Sequence, residues 1–134
     1  MIANQINGVQ FPVRKVYFGI KMRRITTLNA NPYQRVSFVT DTNKEAVFTF
    51  RYLPTQKSWF FDLVYGDFEI NMVKVCCYPN LLDKWRNLLD FGVNVSTDNG
   101  LDPFEVTAFD DGSCFFSILN ENEKNQATEY LDGV

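Results

Sequence analysis

Between Arg35 and Val75 the side chains alternate in character at every second position, and this run constrains the chain more than anything else in it. Val36, Phe38 and Thr40 alternate with Arg35, Ser37 and Val39, and Asp41-Thr42-Asn43-Lys44-Glu45 reads as a turn. Phe48, Phe50 and Tyr52 then face one way, with Val47, Thr49 and Arg51 facing the other. After a second turn at Pro54-Thr55-Gln56-Lys57, Trp59, Phe61, Leu63 and Tyr65 share a face opposite Phe60, Asp62 and Val64. Gly66-Asp67 signals a tight hairpin. Ile70 and Met72 continue the alternation, but Val73 and Val75 are out of phase, as across a β-bulge. A period of two suits a strand and not a helix, so the run predicts a four-stranded antiparallel meander.

The flanks extend this reading. Leu81, Leu82, Trp85, Leu88 and Leu89 fall on one side of a helix predicted over about 81–89. Pro79 suits its first turn, Asp83 its positive end, and Gly92 a left-handed stop. Strands resume at Val93 and Val95, Glu105 to Ala108 reads as extended, Asp110-Asp111-Gly112 marks a hairpin, and Cys114 to Leu119 reads as the last strand. The expected fold is mainly β: a small antiparallel β-barrel or rolled β-sheet with one short helix. Residues 1–30 read as an N-terminal extension or arm, 31–122 as the β domain, and 123–134 as a polar C-terminal tail.

A chain of 134 residues, 46% of them hydrophobic, is long enough to bury one core. It contains no histidine, which removes Ser-His-Asp and Cys-His catalysis and the commonest zinc ligand. Cys76, Cys77 and Cys114 are odd in number and form no CxxC, so they read as free thiols of a chain folded in a reducing compartment. No glycine-rich phosphate loop occurs, and no apolar stretch reaches membrane-span length. Asp62, in an apolar strand, would be a carboxylic acid catalyst only if buried; the plainer reading puts it on an exposed or subunit-contact face. Asp98, Asp102, Asp110 and Asp111 lack calcium-loop spacing and read as turn formers. The sequence therefore implies no enzyme, cofactor, metal, small-molecule substrate, nucleic acid or membrane.

Charge is unevenly distributed. Residues 1–40 carry Arg14, Lys15, Lys21, Arg23, Arg24 and Arg35 without one Asp or Glu, while the net charge of the whole chain is −3. A basic segment and an acidic body favour contacts between neighbouring copies. Arg14, Lys15, Arg23 and Arg24 are the candidate partner-contact residues. An alternative is a small β module that binds single-stranded nucleic acid or carbohydrate, which needs the Phe48/Phe50/Tyr52 or Trp59/Phe61 face open to solvent.

Three segments, in this order and spacing, carry a resemblance: Thr55 to Leu63 with its Trp59-Phe60-Phe61-Asp62-Leu63 strand, the Asn80-Leu81-Leu82 turn, and the aspartate-rich Val95 to Asp102 followed by the terminal β segment Cys114 to Leu119. From Asn31 to Asn122 the chain resembles the small baseplate plug proteins of contractile-tailed phages. That resemblance implies a structural virion protein, made in the host cytoplasm and built into the tail baseplate. Its implied partners are hub, tube or spike proteins and other copies of itself, in a closed ring of three or six. The first 30 residues, the Leu81–Leu89 segment and Cys76-Cys77 depart from the family's pattern.

Overall fold

The structure, a computed structural model, describes residues 23–133. Strands β1 (Arg23–Arg24), β2 (Tyr33–Val39), β3 (Glu45–Leu53), β4 (Ser58–Tyr65), β5 (Phe68–Lys74), β6 (Gly92–Thr97) and β7 (Cys114–Leu119) precede helix α1 (Glu121–Asp132). The alternating run forms the antiparallel sheet β2-β3-β4-β5, and the remaining strands form a second, in the order β1-β7-β6. The mainly β, antiparallel architecture is as the sequence implies.

Pairing in register puts large rings side by side on one face: Phe48 opposite Leu63, Phe50 opposite Phe61, Tyr52 opposite Trp59. Trp59, Phe61 and Leu63 are fully buried there. Phe116 of β7 drives into this face from the second sheet, its ring 5.0 Å from Phe50, 5.5 Å from Phe48 and 5.7 Å from Phe61, edge-on each time. Edge-to-face rings contribute roughly 0.5–1.5 kcal/mol per pair beyond their buried area.

The two sheets roll around this core and are joined on one side. Val75 N donates to Trp59 O (2.9 Å), and Tyr78 and Val95 then exchange backbone hydrogen bonds of 3.1 and 3.2 Å, so the chain leaves one ladder and enters the other. On the opposite side Arg23 Nη1 reaches the Val39 carbonyl at 3.4 Å. The phase switch is a bulge: the β4–β5 register shifts between Phe61 and Leu63, Met72 turns to φ 57°, and Asp62 Oδ1 accepts the Met72 N–H (2.8 Å). That carboxylate replaces the partner the bulge removes.

Several expectations need correction. Residues 81–89 do not form a helix presenting five apolar residues on one side. They form successive tight turns around a single 3-10 turn at Asp83–Trp85, with Leu82 and Leu89 buried but Leu88 68% exposed. Both ends of the segment are tied by other residues. Asn80 Oδ1 accepts from Leu82 N (3.0 Å) and Val93 N (2.9 Å), and Lys124 Nζ donates to the carbonyls of Arg86 (2.9 Å) and Leu89 (2.6 Å). Gly92 is no helix stop; it opens β6, where a Cβ would come within 2.7 Å of Asn80 Oδ1.

The polar tail is instead helix α1. It starts at a capping box in which Asn120 accepts from Glu123 N and Glu123 accepts from Asn120 N, each at 2.8 Å. Glu105 to Ala108 is not extended but turned, with Ala108 N donating to Glu105 O (3.1 Å). Within the supposed extension, β1 pairs with β7, Ile25 N donates to Phe116 O (2.9 Å) and Leu28 is buried, so residues 23–28 belong to the β core.

Candidate interaction surface

Arg14 and Lys15 lie outside the described residues. Arg23 and Arg24 are exposed neighbours on β1 but lie against different rings: Arg23 over Phe38 at 5.4 Å, Arg24 over Phe115 at 4.0 Å. Stacked guanidinium groups keep their charge and spare donors for a partner.

Asp62 is partly buried and spent on structure: besides the Met72 N–H it holds the Arg51 guanidinium at 2.9 Å. The four loop aspartates do not converge on a point. Asp102 Oδ1 accepts the Cys77 N–H (2.9 Å), and Asp111 accepts from Ser113 N (2.9 Å) and Thr107 Oγ1 (3.3 Å), which holds its carboxyl below the usual range. Among the described residues no group of three His, Cys, Asp or Glu side chains is placed to hold a metal ion. The cysteines are free thiols. Burial raises the pKa of all three above that of an ordinary thiol, with nearby Asp102 adding to the effect.

A depression of about 560 Å³ is lined by Thr42, Tyr65, Asp90 and Lys124 among others. Its charged groups are already engaged. Lys124 Nζ has two carbonyl acceptors and the Glu121 carboxylate at 3.0 Å. Asp90 accepts from the Tyr65 and Thr42 hydroxyls, each at 2.6 Å. Burial pushes the Asp90 carboxyl up, but these two bonds and the charge of Lys44 more than offset it, leaving it below the usual carboxylate range. This network staples the β2–β3 turn to the start of β6.

The aromatic face needed by a stacking module is closed. Phe48, Phe50, Trp59 and Phe61 are buried, and Tyr52 spends its hydroxyl on the Phe104 carbonyl (2.7 Å). The opposite face of the same sheet is more informative. Register aligns Tyr33 with Arg51, Arg51 with Phe60, and Phe60 with Lys74, giving a row across all four strands that alternates ring and cation. Tyr33 is 56% exposed, and the Arg51 guanidinium lies over its ring at 5.7 Å. The residues were visible in the sequence. Their alignment was not, because it depends on turn lengths and on the bulge that returns Lys74 to this face.

Beside this row sits an acidic cap made by the loop between β6 and β7. Asn87 to Glu123 contains no Lys or Arg. The loop carries Asp98, Asp102, Glu105, Asp110 and Asp111, with Leu101 62% and Phe104 51% exposed among them. It is pinned to the end of the sheet by the Tyr52–Phe104 bond, by Trp59 Nε1 donating to Glu105 O (3.2 Å) and by the Asp102–Cys77 bond. Comparisons with protein-family models and with curated proteins find no match to this chain.

Proposed function

We propose that this protein is a non-catalytic assembly module that works by contacts with other protein chains. The observation that carries this reading is charge segregation. The first 40 residues lack acids, Asn87 to Glu123 lacks bases, and large apolar side chains are exposed within the acidic part. Complementary charge aligns partners and raises their association rate, while exposed apolar groups supply affinity once docked.

The setting we propose is the one its sequence resemblance implies: a phage tail baseplate, where the chain plugs or bridges the hub, tube or spike region in several copies. Arg23 and Arg24, with Arg14 and Lys15, supply the basic side of contacts with neighbouring proteins. In an infected host, Arg14→Glu, Lys15→Glu, Arg23→Glu and Arg24→Glu together should abolish incorporation into tail particles while the purified variant keeps its far-ultraviolet circular dichroism. Incorporation at the level of the unaltered protein would sink the proposal.

A further inference from the structure

We infer that the acidic cap of one copy is the seat for the basic N-terminal segment of the next, a head-to-tail contact that repeats around a closed ring. The inference rests on the reading of the protein as an assembly module and names the two surfaces that meet.

The seat is built in advance. Asp98, Leu101, Asp102, Phe104 and Glu105 line one depression of about 50 Å³. That is far below the roughly 300–1,000 Å³ of a small-molecule site, so it suits side chains laid across it. Its two apolar anchors, Leu101 and Phe104, are exposed, yet their backbone is fixed. Thr97 Oγ1 donates to Leu101 O and Tyr52 Oη to Phe104 O, each at 2.7 Å. Docking on a loop already held in this way costs little ordering of the loop.

Charge identifies the occupant. The side chains of Asp98 and Glu105 are exposed and form no ion pair with a described residue, and the loop itself carries no Lys or Arg. Residues 1–22 are the complement: they carry Arg14, Lys15 and Lys21 without one acid, interleaved with Val16, Phe18 and Ile20. A basic, apolar segment matches an acidic, apolar seat on both counts. Charge sets orientation and association rate, and the apolar groups supply affinity.

Topology makes the contact head-to-tail. β1 begins at Arg23, opposite Ile118, so residues 1–22 join the fold near the Leu119 end of β7. The cap joins β7 at its other end, Cys114, and the strand between Cys114 and Ile118 spans roughly 13 Å. β1 runs towards the cap, with Arg24 opposite Ser117, so each copy carries its segment and its seat at opposite ends. A 22-residue segment reaches at most roughly 75 Å, ample for a neighbouring copy. A contact between unlike surfaces propagates from copy to copy and closes into a ring where the rotation between copies permits.

The test uses full-length protein and sedimentation velocity over a concentration series. The unaltered protein should form oligomers larger than a dimer, and less so as salt is raised. The variants Arg14→Glu/Lys15→Glu and Asp98→Lys/Glu105→Lys should each associate at least about tenfold more weakly, because like charges then meet. An equimolar mixture of the two should recover association, since each reversed segment then finds a reversed seat. Recovery also shows that both variants are folded. A photoreactive phenylalanine analogue at position 18, in a mixture of isotopically light and heavy protein, should cross-link to residues 98–105 and give mixed-isotope products. Cross-links confined to one isotope would mean that each segment folds onto its own cap, and they overturn the proposal. A monomeric unaltered protein, undiminished association of either variant, or no recovery on mixing also overturns it. Entry into tail particles is scored separately. Entry without the mixed-isotope cross-link overturns this contact and leaves the assembly reading standing, whereas the cross-link without entry supports the contact and overturns the phage setting.

Discussion

Replacing Gly92 with alanine places a methyl group 2.7 Å from Asn80 Oδ1 and 2.9 Å from both Cγ and Nδ2. Real Cβ atoms do not approach that closely, and Asn80 has no exposed surface into which to retreat. Expelling its side chain orphans two buried donors, Leu82 N and Val93 N. At about 1–3 kcal/mol for each, Gly92→Ala should cost roughly 2–6 kcal/mol. Asn80→Ala orphans the same two donors but also removes Nδ2, which is buried with no partner, so its cost should be lower, about 1–3 kcal/mol. Once Asn80 is an alanine, the methyl at position 92 meets none of the atoms that excluded it. The double variant should then cost little more than Asn80→Ala alone, giving a coupling close to the whole Gly92→Ala cost, roughly 2–6 kcal/mol. Urea unfolding of the four proteins measures this directly. Costs that add to within about 0.5 kcal/mol would refute the steric account of Gly92 and of the turn it abuts.

Other substitutions probe the remaining joints. Lys124→Met keeps the volume of the buried stem but leaves the Arg86 and Leu89 carbonyls unpaired; calorimetry should show a loss of about 2–4 kcal/mol, and hydrogen exchange should show early opening of 86–89. Asp62→Ala should cost about 1–2 kcal/mol through the orphaned Met72 N–H, with little from the half-exposed Arg51 pair, and chemical shifts should change around the bulge. Glu123 has its pKa raised above 4.5 by burial and by nearby Asp41, against the lowering effect of the Asn120 N–H. An acid with a raised folded pKa binds more protons folded than unfolded, so its contribution weakens as pH rises from 4.5 through the folded value. Glu123→Gln retains a capping oxygen and should flatten that slope, raising the melting temperature at pH 7 relative to pH 4 when compared with the parent.

The meander was legible because its alternation is local and each turn has its own chemistry. Gly66 takes φ 60° between β4 and β5, and the phase change at Val73 corresponds to a real bulge. The helix expected over 81–89 failed because its apolar spacing suits either a helix or a set of turns folded under a sheet. Asn80 and Lys124 decide between them, and Lys124 is distant in sequence. Helix α1 was missed for the converse reason. It is polar on most sides and buries only Glu123, Lys124 and Ala127, yet Asn120-Glu121-Asn122-Glu123 carries the capping-box spacing that announces its start. The candidate surface was half legible. The uneven charge stood in the sequence, but the ring–cation row needed strand register, and the cap needed tertiary hydrogen bonds from Tyr52 and Trp59.

The proposed role, a built-in part of a larger particle, requires a fixed number of copies per particle. Quantitative mass spectrometry of purified tail particles tests it most directly, by measuring moles of this chain against moles of a tail hub subunit. A fixed ratio that survives washing in high salt is expected. Absence from the particles, with the protein abundant in the lysate, would contradict it.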